Sequence, residues 1–356
     1  MANEAAYSAS AENVKYLGRT YFSKDKLYCA LSGSGAEFCF RGTGCKVVIE
    51  GDSTSGDVNQ AENQARLAIC VNGERVIDDM VDKRTKEYTV FASDTPQDVT
   101  VSVIKLSESA MSVFAIDKIV VDGTKIGPAP EKDMLIEFVG DSITCGYGVD
   151  DPVKEHHFST KTEDVTKAYA YKTAQLLNAD YSMVSYSGHG IISGYTEGDE
   201  PVSSQLVPPY YTKLGFSYGA MEDFIPSETE WDFTGRQPDA VVINLGTNDD
   251  SYTKSDCARQ QEYQKEYVEF IKLVRKNNPG SKLVCTLGIM GDRLFEYVRS
   301  AVDTYQEETG DGNIDTVRFD VQLEEDGYSA DWHPSVITHD KAAQKLAKEL
   351  TSILMD

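Results

Sequence analysis

The chain has 356 residues, more than one ordinary domain requires, and 40% of them are hydrophobic, which is enough for substantial cores. Lys and Arg number 34 against 58 Asp and Glu, so the formal net charge is −24. A field of that sign repels phosphate backbones and anionic headgroups, which disfavours nucleic acid and membrane surfaces as partners. Neutral sugars are not repelled, although solubility alone also explains an acidic surface.

Targeting signals and cysteines give a first expectation of the compartment. No apolar run is long enough to cross a bilayer, and the first residues lack the basic patch and apolar stretch of a secretory signal. Seven cysteines without a C-x-x-C pair favour free thiols in the cytoplasm. If a signal peptide has been removed and the protein is secreted, Cys29, Cys39 and Cys45 are candidates for pairing. The sequence is compatible with a homo-oligomer and leaves the oligomeric state open.

Residues 16–126 have the pattern of many short strands separated by turns. Turn signals occur at 42–44 and 94–96, and Asn72-Gly73 is a strong hairpin signal between two apolar runs. No segment here has a clear helical period. We therefore predict an N-terminal β-sandwich of jelly-roll type over residues 1–130, which includes the Gly-Pro-Ala-Pro linker at 127–130.

Residues 131–356 alternate between strand and helix patterns. Met134 to Val139 is a mostly apolar strand, and between Ala258 and Lys276 the apolar residues recur on one helical face. The residues of that face are Tyr263, Tyr267, Phe270, Ile271 and Val274. This alternation predicts an α/β domain with a parallel sheet covered by helices on both faces. Active sites of such domains lie beyond the carboxyl ends of the strands.

Two motifs follow predicted strands in the first half of this domain. Gly140-Asp141-Ser142 comes directly after Val139, where a serine hydroxyl is presented to a substrate. Ser187-Gly188-His189-Gly190 follows a second strand, and the Gly188 N–H can approach a developing oxyanion closely. Each motif on its own is also typical of an ordinary turn.

Two further motifs complete the set. Asn248, in Gly246-Thr247-Asn248-Asp249, follows a third strand and carries an amide able to donate to the same oxyanion. His333, in Asp331-Trp332-His333-Pro334, is suited to proton transfer near neutral pH. A loop asparagine or a histidine next to proline is often structural, so the order of the four motifs on this strand pattern carries the inference.

Together the four motifs resemble the conserved blocks of SGNH (GDSL-type) hydrolases, with Ser142, Gly188, Asn248 and His333 at the matching positions. The N-terminal β-sandwich, Ser-Gly-x-Gly-Ile and Asp-Trp-His-Pro-Ser are similar to carbohydrate esterase family 2. The resemblance implies a serine esterase that deacetylates plant polysaccharides such as xylan, or their oligosaccharides. Ser142 is then the nucleophile and His333 the base, and the oxyanion hole consists of the Ser142 and Gly188 N–H groups and Asn248. It implies no metal and no organic cofactor.

The last motif departs from the usual Asp-x-x-His spacing, because Asp331 and His333 are only two residues apart. Side chains at that spacing point to opposite faces of an extended chain. We predict that Asp331 orients His333 if the chain turns between them; otherwise a main-chain carbonyl orients it in a Ser-His dyad. Trp332 suits stacking on a sugar ring or walling the acyl pocket, and burial under the last loop is the alternative.

Other interpretations stay open at this stage. The four motifs do not encode acyl length, so a lipase or thioesterase of the same class is an alternative. A carbohydrate-binding protein with a vestigial site is another. The long segment 191–237 is rich in Tyr, Pro and Gly and is a candidate lining of the substrate groove. His156 and His157 are adjacent but have no third ligand at a helpful spacing, which disfavours a metal site.

Overall fold

The structure is a computed structural model that describes residues 4–355. It divides into two compact units, and the first of them is not continuous in sequence. The first unit contains the residues up to Glu131 together with Ser159–Glu163 and Lys213–Glu230. The second contains Lys132–Phe158, Asp164–Thr212 and the residues from Trp231 onward. No sequence pattern had indicated that two later segments belong to the first unit.

The first unit is built on an antiparallel sheet. Its strands are β1 (Glu4–Tyr7), β2 (Lys15–Leu17), β3 (Tyr21–Ser23), β4 (Lys26–Cys29), β5 (Gly35–Gly51), β6 (Arg66–Val71), β7 (Glu74–Met80), β8 (Thr85–Lys105), β9 (Phe114–Gly123) and β10 (Gly127–Pro128). The order is β3-β4-β9-β5-β8-β6-β7, with β1 paired to β9 and with β2 and β10 paired to β5. Buried side chains of β4, β5, β6, β8 and β9 form one hydrophobic cluster. These features confirm the predicted all-β class of this unit.

Strands β5 and β8 are longer than the sequence suggested, because two predicted turns are bulges within continuous strands. Gly42 pairs with Gln97 and Gly44 pairs with Ala92, so the residues 93–96 between them protrude from the ladder. A Cβ at Gly42 would lie 2.2 Å from the Asp122 carbonyl oxygen. Glycine therefore permits a close approach of two strands here rather than a chain reversal.

The hairpin predicted at Asn72-Gly73 is confirmed. It joins β6 to β7, which pair in antiparallel register. Asn72 has φ 52° and Gly73 has φ 85°, the pair of positive values that a type I′ turn requires. Such a turn matches the right-handed twist of the two strands it connects.

The second unit has a five-stranded parallel sheet flanked by helices. Its strands are β11 (Leu135–Gly140), β12 (Asp180–Ser185), β13 (Ala240–Asn244), β14 (Lys282–Ile289) and β15 (Ile314–Val321), in the order β12-β11-β13-β14-β15. Its helices are α1 (Ser142–Cys145), α2 (Tyr169–Leu176), α3 (Thr247–Thr253), α4 (Cys257–Asn277), α5 (Phe295–Thr309) and α6 (Val336–Met355). Helix α2 packs with α6, and α4 packs with α5. All five apolar residues predicted on one face of α4 are buried, and the α/β class is confirmed.

Two further observations concern membrane-spanning helices and cysteines. Between residues 4 and 355 we find no helix with the length and hydropathy needed to cross a bilayer. All seven cysteines lie within this range, and none is disulfide-bonded.

Candidate active site

Ser142 lies just beyond the carboxyl end of β11, a strand that β12 and β13 flank in the parallel sheet. Strand β11 ends at Gly140, and Ser142 is the first residue of α1. The Asp141 carboxylate caps this short helix by accepting a hydrogen bond from the Ile143 N–H at 3.0 Å. Ser142 is only 6% exposed. The cap holds the serine at the strand-to-helix turn, as its motif predicted.

Ser142 and His333, which are 191 residues apart in the chain, form a hydrogen bond. The distance from Ser142 Oγ to His333 Nε2 is 2.9 Å. The other ring nitrogen, Nδ1, lies 3.1 Å from the carbonyl oxygens of both Ala330 and Asp331. Because a carbonyl only accepts, Nδ1 carries the proton and Nε2 is left to accept the serine proton. The geometry is that of a nucleophile with its general base.

The predicted role of the Asp331 carboxylate as the acid that orients His333 is wrong. Both contacts of His333 Nδ1 are to main-chain carbonyls, so the alternative arrangement, a Ser-His dyad, is the one observed. The physical reason is the local backbone. Asp331 has φ 49° and Trp332 has φ 62°, so the chain turns through two left-handed residues between Ala330 and His333. This turn brings two carbonyl oxygens toward the ring.

The Asp331 carboxylate has different partners. Tyr147 donates its hydroxyl to Asp331 Oδ2 at 2.5 Å, and His157 Nδ1 lies 2.9 Å from Oδ1. The Tyr147 ring in turn stacks on the imidazole of His333, with centroids 3.9 Å apart and planes 21° apart. Phe158 packs on Tyr147 with a centroid distance of 4.7 Å. The Asp331 carboxylate therefore contacts the tyrosine that covers one face of the His333 ring.

Burial and hydrogen bonding shift the pKa values of both groups. Desolvation lowers the pKa of His333 to about 4, and the two main-chain carbonyls offset only part of that effect. The imidazole is therefore neutral over the ordinary pH range, as a general base must be. For Asp331, burial raises the pKa, but the hydrogen bonds from Tyr147 and His157 outweigh it and the net pKa is lowered.

The candidate oxyanion donors follow three neighbouring strands. Ser142 follows β11, Gly188 follows β12 and Asn248 follows β13, and the sheet order places β11 between the other two. Gly188 has φ 75°. Among residues 4–355, neither the Ser142 N–H nor the Gly188 N–H donates to a protein acceptor. Both N–H groups are therefore available to a substrate, as the predicted role requires.

The side-chain amide of Asn248 is held in place by a single hydrogen bond from its amino group. Its Nδ2 donates to the His189 carbonyl at 2.8 Å, which leaves a second N–H on the same nitrogen. The neighbouring Asp249 is fully buried, and its carboxylate accepts the N–H groups of Ile191, Ile192 and Ser193 at distances from 2.7 to 3.2 Å. Asp249 thus ties the loop after β12 to the start of α3. Burial raises its pKa to about 6, although these N–H groups act in the opposite direction.

Trp332 is exposed beside the base, so the alternative of burial under the last loop is wrong. Half of its surface is accessible. Its ring lies 5.4 Å from that of Tyr328, and Lys154 Nζ lies 4.1 Å from the indole centroid. Whether the indole contacts substrate stays a prediction, and its exposure is compatible with stacking on a sugar.

Several site residues were missed by the sequence reasoning. Tyr147 and His157 belong to no recognised catalytic motif, and the two carbonyls have no side-chain signature at all. Asp249 stands in the Asn248 motif, but no role was predicted for it. Asp249 had one available signal, because it directly follows Asn248 at the beginning of α3. The two adjacent histidines have separate carboxylate partners: His156 lies 2.9 Å from Asp151, and His157 lies near Asp331 as described above.

Comparison with known proteins gives the family. Residues 16–130 match the family described as carbohydrate esterase 2 N-terminal, and residues 138–341 match the GDSL-like lipase/acylhydrolase family. The chain belongs to the GDSL-like lipase/acylhydrolase family. The first match agrees with the predicted relationship to carbohydrate esterase family 2.

Two relatives of this GDSL-like protein resemble it over almost the whole chain. Cellulase/esterase CelE of Acetivibrio thermocellus is 30% identical over 351 residues, which is 96% of this chain but 39% of that protein. The chain thus spans about two fifths of the length of this relative. An acetylxylan esterase/glucomannan deacetylase of Cellvibrio japonicus is 22% identical, with 99% of this chain and 92% of that protein covered.

A solved structure also resembles it closely. A family two carbohydrate esterase from Clostridium thermocellum, in complex with cellohexaose, superposes with a TM-score of 0.82 at 28% identity. The match covers 96% of this chain and 99% of that one. The two-domain architecture is therefore shared along the chain.

Proposed function

We propose that this protein is a carbohydrate O-acetyl esterase that removes acetyl groups from plant polysaccharides such as xylan, or from their oligosaccharides. The observation that carries the proposal is the 2.9 Å hydrogen bond between Ser142 and His333. The protonated Nδ1 on main-chain carbonyls leaves the reactive nitrogen of His333 pointing at the serine. The names of the relatives, an acetylxylan esterase among them, support acetylated polysaccharide as the substrate class.

In the first stage of the proposed reaction, Ser142 Oγ attacks the ester carbonyl while His333 Nε2 takes its proton. The tetrahedral oxyanion accepts hydrogen bonds from the Ser142 and Gly188 N–H groups and from the Asn248 amide. Each such donor contributes about 3 kcal/mol to lowering the barrier. His333 then gives its proton to the departing sugar oxygen, and the C–O bond to the sugar breaks.

In the second stage, water attacks the acetylated serine. His333 takes one proton from the water and returns it to Ser142 Oγ as the C–O bond to the serine breaks. The product is acetic acid, which loses its own proton to the solvent to give acetate. Each proton that enters or leaves Ser142 Oγ in this cycle passes through His333 Nε2.

Hydrolysis of aryl esters of increasing chain length, together with acetate release from acetylated xylan, tests the proposal. We expect the acetate ester to be the preferred aryl substrate and xylan to release acetate. A preference for long acyl chains would instead indicate a lipase or thioesterase of the same class. Hydrolysis of none of these esters would contradict the proposal and favour a carbohydrate-binding protein. Ser142→Ala is the control for background hydrolysis.

Cytoplasmic location stays a prediction from the sequence. Fractionation of the cells that produce the protein, followed by an assay of each fraction with an aryl acetate, would test it.

A further inference from the structure

A cavity of about 390 Å³ lies within the first unit, which contributes no residue to the candidate active site described above. It is lined mainly by polar side chains, and one aromatic ring and one methionine complete the lining. The lining residues are Ser53, Thr54, Asp57, Gln60, Asn63, Met111 and Tyr218. A cavity of this volume has the size of a small-molecule site, and its lining suits a hydrophilic ligand.

The cavity walls come from three segments that are far apart in sequence, and the carboxylate of Asp52 joins them. Asp52 is fully buried. Its Oδ1 accepts the N–H of Thr54 at 2.9 Å, and its Oδ2 accepts the N–H of Val113 at 2.7 Å. A Cβ at Gly219 would lie 1.8 Å from Oδ2, so only glycine allows the third segment to come this close.

Two more hydrogen bonds attach the third segment, which belongs to residues 213–230. The Ser53 N–H donates to the Ala220 carbonyl and the Ala220 N–H donates to Ser53 Oγ, both at 2.9 Å. The Tyr218 N–H donates to the Ala110 carbonyl at 2.8 Å. The shape of the cavity is therefore set by the fold before any ligand arrives, which lowers the entropy cost of binding.

Tyr218 is the aromatic wall, and its exposure is unusual for a side chain of this size. It is 69% exposed. The Phe216 ring lies 4.9 Å away at 79°, an edge-to-face contact that supports the orientation of the tyrosine. One face of a pyranose ring is made of C–H groups, so an exposed aromatic ring offers it a stacking surface.

The polar wall has unused hydrogen-bonding groups. Asn63 Nδ2 donates to Gln60 Oε1 at 2.9 Å, which leaves the Gln60 amino group and the Asn63 carbonyl oxygen without partners among residues 4–355. Asp57 Oδ1 accepts the N–H of Asn59 at 2.9 Å, and its other oxygen has no partner in that range. Donors and acceptors placed side by side on planar groups match the vicinal hydroxyls of a sugar. The carboxylate and the net charge of −24 disfavour an anionic ligand.

We propose that this cavity is a second, non-catalytic carbohydrate site, in which Tyr218 stacks on a neutral sugar ring while Asp57, Gln60 and Asn63 bind its hydroxyls. The proposal rests on the proposed function for its expectation that the sugar belongs to the polysaccharide substrate. The cavity would bind unacetylated sugar units of the polysaccharide and so keep the enzyme attached to its polymeric substrate.

Binding of xylohexaose, cellohexaose and mannohexaose to the full chain tests this, measured by calorimetry with Tyr218→Ala and Gln60→Ala. We expect affinity for at least one of them to fall about tenfold in each variant. Ile225→Ala is the matched control, because Ile225 is 50% exposed on the same segment but does not line the cavity. Melting curves of all variants verify their folding.

The methyl group of Met111 reports directly on the cavity. In protein labelled with [¹³C-methyl]methionine, the signal that disappears in Met111→Leu is assigned to Met111, and we expect the sugar to shift it. Affinities unchanged in both cavity variants, with an unmoved Met111 signal at saturating sugar, would overturn the proposal. Failure of every aryl ester assay would contradict the proposed function alone, because sugar binding dependent on Tyr218 would remain.

Discussion

Both units bury ionisable side chains, but they use them for different purposes. In the first unit Lys105 is fully buried, and its Nζ donates to the carbonyls of Ser107 and Glu108 at 2.6 and 2.8 Å. The Glu163 carboxylate nearby accepts the Glu108 N–H at 2.9 Å. Such groups hold loops together. In the second unit the buried carboxylates of Asp141 and Asp249 lie just beyond the carboxyl ends of β11 and β13, adjacent in sequence to Ser142 and Asn248.

The difference shows how the topology of a sheet determines what its buried polar side chains can do. A parallel sheet gathers the ends of β11, β12 and β13 at one edge, so the loops after them meet around a single point. In the antiparallel sheet neighbouring strands run in opposite directions, and loops alternate between its two ends. Buried charge there stabilises the connections between strands. Variants in each unit should therefore separate activity from stability.

The largest expected effect is the loss of activity in Ser142→Ala. The nucleophile is removed, so turnover of an aryl acetate should fall by about 10⁴-fold or more. The melting temperature should change little, because only one hydroxyl is lost from the turn. His333→Ala should be similarly inactive and serves as the matched variant. Near-normal activity in Ser142→Ala would rule out the serine as the nucleophile.

Lys105→Met should lower stability and leave activity unchanged, the opposite of what we expect for Ser142→Ala. Burial lowers the pKa of this lysine to about 8, although the surrounding carboxylates act in the opposite direction. Its removal takes a donor from two buried carbonyls and a positive charge from beside the buried acids, which should destabilise the fold by about 3 kcal/mol. Unfolding in urea measures the loss, and kcat of the folded protein should be retained. Lys118→Met, on the exposed surface of β9, is the control; equal stability of the two variants would contradict the assignment.

Asn248→Ala tests the oxyanion hole. We expect kcat to fall by about 10²–10³ with little change in KM, because the free N–H of the amide acts mainly on the transition state. Steady-state kinetics on an aryl acetate separate the two parameters. A raised KM with normal kcat would instead place Asn248 in binding of the ground state.

The pH dependence tests the neutral state of His333. Only the unprotonated imidazole can accept the serine proton, so kcat/KM should fall as the pH is lowered through the pKa of about 4. Activity should therefore persist well below pH 6, with a loss of about tenfold per unit only under pH 4. The profile is measured after a brief jump from neutral pH, with recovery on return as the control for unfolding. A fall in kcat/KM centred near pH 6.5 would contradict the lowered pKa of His333.

The smallest expected effect belongs to Asp331→Asn. Because main-chain carbonyls hold His333, this change should lower kcat only a few-fold, through weaker contacts to Tyr147 and His157. An acid that orients the histidine would instead cost about 10⁴-fold in kcat. Steady-state kinetics of Asp331→Asn and of Tyr147→Phe, measured in parallel, give the contribution of the hydrogen bond between Tyr147 and Asp331. A loss of several orders of magnitude in Asp331→Asn would restore the triad and refute the dyad.

Much of this protein could be predicted from local sequence signals. The hairpin at Asn72-Gly73 needs positive φ at both residues, which these residue types tolerate. The buried face of α4 follows from the helical period, and the motifs of Ser142 and His333 follow from side-chain chemistry. Each of these features depends on residue types at short spacing, so local sequence is enough to predict it.

Other features were decided only by the tertiary structure. A main-chain carbonyl exists at every residue, so nothing in the sequence marked Ala330 as a partner of His333. The turns predicted at 42–44 and 94–96 became bulges because neighbouring strands continue the ladder past them. Residues 213–230 joined the first unit through contacts such as Phe224 on Tyr28, with ring centroids 5.0 Å apart. Such contacts join residues distant in the chain, and local patterns carry no record of them.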